Sequence, residues 1–422
     1  MGVDDAAVLR DPTSPQHVTF LELFFDLVFV FALDRVAQGL IDTLDWSDLL
    51  ETMVLLPAVW WIWMMTVWMT DRLDPERTST QLTVIGIMLG TLILASAVPG
   101  AFGRRGWFFA GMYVSVQLGR TLYLLAVLHR HRLRRRTLRT LFWFVVSAVP
   151  WLLGAASSGP LRLALWALAI TIDYVAARLD FPTPGAGRSP ISEWGLAAAH
   201  MSERYRQIVI IALGGTIIVA GTTFGASDFK LDSVAALVVS FAVTGLLWRI
   251  YIYRAGELMY EALTRSANPE HLGRSTAYTH LLIAAAAIAV SVADRLVIAQ
   301  PLARPHPSWT AAIMAGPVLF LLGRARLEYT VFSRVSYSRR IGLAVLVASI
   351  PAMIAVPPLA VAGTMVAILY IDRCSDVHGR AGAVPARPGR LEYTVFSRVS
   401  YSRRIGLAVL VASIPAMIAV PP

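Results

Sequence analysis

A chain built from long apolar runs has few folds open to it, and this one carries such runs along most of its length. An α-helix needs about 20 predominantly apolar residues to cross the hydrocarbon core of a bilayer. Runs of that kind lie near residues 20–41, 49–70, 82–101, 107–128, 138–156, 160–178, 205–224, 231–252, 278–298 and 308–323. A further run, 341–371, is too long for one crossing. Pro351, Pro357 and Pro358 divide it into two expected helices, 341–356 and 358–371. The expected fold is an all-α polytopic membrane protein with about 10–12 transmembrane helices, because only helices and closed barrels satisfy their backbone inside lipid. Composition points the same way. Only 15% of residues are charged, against about 25% in soluble domains, which is too little to cover a water-facing surface.

The charges that remain are arranged asymmetrically. Let side A be the side of the N-terminus. Loops on side A carry 21 arginines, six of them between Arg130 and Arg139, whereas loops on side B carry Arg104, Arg105, Arg162, Lys230 and Arg304. The positive-inside rule makes side A cytoplasmic and the bacterial cytoplasmic (inner) membrane the expected location. It also accounts for the net charge of +10 without a nucleic-acid partner; the expected partner is the lipid bilayer. The single Cys374 excludes an intramolecular disulfide framework and a multi-cysteine metal site. Residues 1–17 are expected to form a polar cytoplasmic segment with no cleavable signal, and the run from Val18 an uncleaved anchor. Residues 18–371 are expected to form the membrane domain. A polar linker at about 179–203, containing Pro182, Pro184, Gly185, Gly187 and Pro190, divides it into two helical halves. In the tail, 372–422, residues 390–422 repeat 326–358 without a single change. Repeats that build a fold drift apart and tile the chain. This one is read as an incidental duplication, dispensable to the function.

Ionisable residues inside the spans are costly to bury, so they mark function or structure. Glu22 and Asp26 are four residues apart in the first span and share one helical face. They read either as headgroup-level anchors able to snorkel to water or as a proton or cation site facing the bundle interior. Arg120, deep in the fourth span, requires an acid or a polar cavity. By depth its expected partner is Asp26, with Asp34 the alternative, in an ion pair that fixes helix packing; Asp173 reads similarly. His200, Glu203 and Arg204 open the seventh span and read as a helix-capping cluster when taken alone. Gly214, Gly215 and Gly221 follow as a small-residue face that lets helices approach. His280 begins the ninth span and reads as a hydrogen-bonded structural residue. Trp60, Trp61 and Trp63 read as interfacial aromatics. No P-loop, HExxH or nucleophile elbow is present. An enzymatic role and a bound cofactor or metal are therefore not expected.

Two segments together resemble the bacterial low temperature requirement A family. FLELFFDLVFVFAL, residues 20–33, is similar to that family's opening helix. HMSERYRQIVIIALGGTIIVAG, residues 200–221, is similar to its central His-x-x-Glu-Arg helix. His280, in YTHLLIAAAAIA, resembles a third motif, and Arg120 falls where the family tends to carry a membrane arginine. The resemblance covers roughly 17–370 and implies a link, by the family's name, to growth in the cold. Two positions depart from the family pattern. Gly215 stands where an acid follows the first glycine of Gly-Glu-Ser-Ile, and Tyr253 stands where an Asp ends the eighth helix.

Two functions follow as expectations. One is a transporter or ion pathway using Glu22, Asp26, Arg120, His200, Glu203, Arg204 and His280 as a polar route. The other is a non-transporting stress-adaptation factor, scaffold or sensor, which the two missing acids favour.

Overall fold

A computed structural model describes residues 9–10, 17–41 and 44–378. The duplicated segment 390–422 and most of the N-terminal segment lie outside the described residues. Among those described, twelve α-helices run in order with no strand between them: α1 (Phe20–Ile41), α2 (Trp46–Arg72), α3 (Thr78–Ala97), α4 (Gly106–Val127), α5 (Leu133–Ala156), α6 (Gly159–Arg178), α7 (Ala198–Gly225), α8 (Leu231–Arg265), α9 (Pro269–Ala299), α10 (Pro307–Phe332), α11 (Tyr337–Met353) and α12 (Pro358–His378). Each expected span is one of these helices. Eight are long and apolar enough to cross a membrane on composition alone. α1 is kept from that set by Glu22, Asp26, Asp34 and Arg35, and α11 by its 17 residues. The protein is a helical membrane protein.

Proline sets several boundaries. Pro160, Pro307 and Pro358 occupy the first turns of α6, α10 and α12, where a missing N–H costs nothing. The break in the run 341–371 falls at 354–357, as Pro357 and Pro358 require. Pro351 is instead accommodated inside α11, two residues from its end. α2, α5 and α10 also carry internal prolines, at Pro57, Pro150 and Pro317.

α1 shows how burial works in this chain. Phe20, Phe24 and Leu27 project outward, whereas Glu22, Phe25, Asp26, Phe29, Leu33 and Val36 are buried. Carboxylates inside and phenylalanines outside would be untenable in water; in hydrocarbon the outward face costs nothing.

The chain divides into two compact units. Of the described residues, those up to 215 together with 252–288 form the first, and 216–251 together with 289–378 form the second. Of the expected linker 179–203, the part before α7, 179–197, is folded within the first unit. Arg136 of α5 donates to the carbonyls of Ser189 and Pro190 at 2.6 and 2.9 Å, and Trp143 to that of Pro182 at 2.9 Å. Trp194 donates to the Trp68 carbonyl of α2 at 3.1 Å. Gly195 then turns the chain into α7 at φ +73°, with the Arg72 guanidinium 3.0 Å from where a Cβ would sit; glycine alone suits both conditions. Within the second unit, Arg339 of α11 pairs with Asp372 of α12 and with Glu328 of α10 at 3.4 Å, clamping the last three helices.

Candidate functional site

The first unit buries a cluster of charge where α1 and α7 begin and α2 ends. α1 and α7 both start on side A, so they run parallel here and their i,i+4 spacings match. Glu22 meets His200, and one turn deeper, about 6 Å along the axis, Asp26 meets Arg204. All four are at most 1% exposed. That excludes the headgroup-anchor reading of the two acids and the capping reading of His200 and Arg204. Glu203 points elsewhere: it accepts from the Val18 amide at 3.3 Å and lies 3.9 Å from Arg206 at the margin of the unit.

In the deeper layer, Arg204 addresses Asp26 with both terminal nitrogens, at 2.9 and 2.7 Å, and its Nη1 also donates to the Glu22 carbonyl at 3.0 Å. A planar fork matched to a carboxylate is the strongest form of ion pair. Trp63 Nε1 donates to the same carboxylate at 2.9 Å. In the outer layer, His200 Nε2 lies 2.8 Å from Glu22 Oε1, and its Nδ1 lies 2.9 Å from Asp71 Oδ1. The Ala197 amide donates to the other oxygen of Asp71 at 3.2 Å, and Thr19 donates to Glu22 through both its amide and its hydroxyl.

Proton accounting constrains the outer layer. Each short N···O contact needs one hydrogen, and a neutral imidazole has only one N–H. Either His200 is an imidazolium between two carboxylates, or it is neutral and one acid is protonated. Both arrangements hold two protons in the chain Glu22–His200–Asp71. With one proton fewer, a nitrogen lone pair would face a carboxylate oxygen at less than 3 Å, and the geometry would have to open. Arg10 also approaches the outer layer, its Nη2 3.7 Å from Glu22.

His280 approaches this cluster through stacked rings. It stacks on Tyr205 at 4.7 Å, and Tyr205 packs against Trp63 at 5.9 Å. Its Nδ1 contacts the Thr276 carbonyl at 2.8 Å. Trp60, Trp61 and Trp63 are all at most 2% exposed, so they are interior residues rather than interfacial ones. Asp71 and Trp63 are cluster members that sequence reading missed. Asp71 stands beside Arg72 at a helix end and looks like loop charge; Trp63 is one of a run of tryptophans.

Arg120 does not pair with α1. Asp26 is taken by Arg204, and Asp34 by Arg35 at 2.8 Å and by Gln38. Arg120 instead donates to Gln117 Oε1 and to the Thr66 hydroxyl at 3.3 Å. Asp173 accepts from the Tyr113 hydroxyl at 2.7 Å rather than from an arginine. Of the three glycines in α7, Gly215 makes the close approach. A Cβ there would meet Val30 of α1 at 3.2 Å, while Gly214 and Gly221 have open space.

Comparison with known proteins places this site in a family. A family model described as "Bacterial low temperature requirement A protein" matches residues 17–371. An uncharacterized protein of Rhizobium meliloti (strain 1021) is 30% identical over 347 residues, covering 81% of this chain and 84% of its own length. No solved structure matches the chain. The matched region contains α1, α2 and α7, the three helices that build the cluster, and the chain belongs to the bacterial low temperature requirement A (LtrA) family.

Proposed function

We propose that this protein is a proton pathway or proton-coupled transporter of the inner membrane, with its N-terminus in the cytoplasm. The observation that carries the reading is the position of His200. It is wholly buried, and its two ring nitrogens each lie within hydrogen-bond distance of a carboxylate from a different helix. A chain that must hold two protons, and whose geometry opens when one leaves, couples proton count to the packing of α1, α2 and α7. Buried acids and histidines of this kind are the usual elements of proton relays in transporters. Arg204 and Asp26 serve as the fixed pair beneath the relay, and His280 lies behind the Trp63–Tyr205 rings. Growth in the cold, which the family's name records, enters as the condition under which loss of the activity is felt.

A non-transporting scaffold or sensor is the competing reading, favoured by Gly215 and Tyr253 standing where the family pattern carries acids. Proteoliposomes enclosing a pH-sensitive dye separate the two. Under an imposed pH gradient the wild type should move protons faster than protein-free vesicles, and His200→Gln and Glu22→Gln should lose most of that excess. Flux equal to protein-free vesicles, in correctly folded wild type of both orientations, would favour the scaffold.

A further inference from the structure

The first unit holds a second polar feature that the proton cluster does not use. Between α2, α4, α5, α9 and the segment 179–197 lies a cavity of about 70 Å³. A single water needs about 10–15 Å³ by this measure, so the space suits a molecule of roughly five to seven heavy atoms. Three arginines line it: Arg120, Arg136 and Arg274. Each is more than nine-tenths buried.

Their counter-charges are incomplete. Arg274 is paired with Asp180 at 2.9 Å. Arg136 donates only to the backbone carbonyls of Ser189 and Pro190, and its guanidinium lies over the Phe181 and Trp194 rings at 5.8 and 5.9 Å. Arg120 contacts Gln117, Thr66 and, at 5.8 Å, the Phe144 ring. Among the described residues, no carboxylate lies within ion-pair distance of Arg120 or Arg136, and no acid lines the cavity; Asp173 acts on Arg120, and Asp180 and Glu193 on Arg136, only from beyond that distance. A buried guanidinium whose counter-charges lie beyond contact distance is incompletely compensated. Two such charges facing one cavity call for an anion in it. The rest of the wall is largely apolar, including Met64, Met65, Trp68 and Leu124. That combination suits a charged head on a short hydrocarbon body.

We propose that this cavity binds a small carboxylate with a short apolar chain, its oxygens held by Arg120 and Arg136. Guanidinium forks match a carboxylate in plane and spacing, which an ammonium does not. The segment 179–197 lines this cavity with Trp194 and, three residues on, donates to Asp71 through the Ala197 amide. The binding claim stands whether or not the cluster conducts protons.

The test is thermal unfolding of the full chain in phosphatidylcholine nanodiscs. Sodium butyrate is titrated against sodium chloride at equal ionic strength, with butyramide as the uncharged analogue of the same shape. Butyrate should raise the unfolding temperature saturably, and butyramide should not. Arg120→Gln and Arg136→Gln should abolish the response. Should either fail to fold, Arg136→Lys keeps the charge and should still weaken butyrate binding at least about tenfold. Equal stabilisation by butyramide, no saturable effect beyond chloride, or a lysine variant that binds as the wild type does would overturn the proposal. So would a butyrate response that disappears in phosphatidylglycerol nanodiscs, which would assign the oxyanion to a lipid headgroup.

Discussion

Removing Arg204 tests whether the deeper layer is an ion pair that holds the helices together. Arg204 and Asp26 are both wholly buried, and two N–H···O contacts of 2.9 and 2.7 Å join them. Solvent screening therefore offers no discount, unlike at a surface pair. Arg204→Ala leaves the Asp26 carboxylate with Trp63 as its remaining donor, and breaking a buried pair from one side costs about 3–5 kcal/mol. At about 2 °C per kcal/mol for a chain of this size, detergent-solubilised protein should lose roughly 6–10 °C in unfolding temperature. Asp26→Ala alone strands the guanidinium and should cost a similar amount. The double variant removes both charges and should be more stable than the sum of the singles implies, by about 1–3 kcal/mol. The same cycle between Arg120 and Asp26 should show no coupling, because those side chains have different partners. Additivity in the Arg204–Asp26 cycle would refute the pairing.

Other expectations follow from single contacts. Trp63→Phe keeps the ring but removes the donor to Asp26, and should destabilise by about 1.5–3 kcal/mol in the same unfolding assay. A Cβ at Gly154 would meet the buried Trp166 ring at 2.4 Å, whereas one at Gly214 meets nothing within 4 Å. Gly154→Ala should therefore cost about 1–3 kcal/mol, and Gly214→Ala should be neutral or stabilising by up to about 1 kcal/mol. Reporter fusions at residues 132 and 228 should report opposite sides of the membrane, with 132 cytoplasmic; a periplasmic signal at 132 would contradict the orientation.

The helices were legible because the apolar run is a local signal, readable in a window of about twenty residues. Partners are not local. Arg204 looks like a cap because charges surround it in the sequence, yet its partner Asp26 is on α1. Depth matching offered Asp26 to Arg120 as well; only the packing of α7 on α1 decides which arginine takes it. α7 itself begins at Ala198, well before its apolar run, since His200 and Arg204 are neutralised by α1 and α2. The tryptophans of α2 carry no mark separating an interior from an interfacial position. Glu22 and Asp26 could be placed on one face from their spacing; that the face is interior required the structure.

The central claim is that His200 exchanges a proton held between Glu22 and Asp71, and nitrogen-15 NMR of histidine-labelled protein in nanodiscs tests it most directly. The His200 resonances are assigned by their loss in His200→Gln. Across a titration carried from acid well into the alkaline range, the account predicts that the chain Glu22–His200–Asp71 gives up one of its two protons and that the His200 ring-nitrogen signals move as it leaves. That change should shift the Trp63 indole signal one layer away. His200 resonances that stay fixed across the range, with an unchanged Trp63, would contradict the account and leave the cluster as a static clamp.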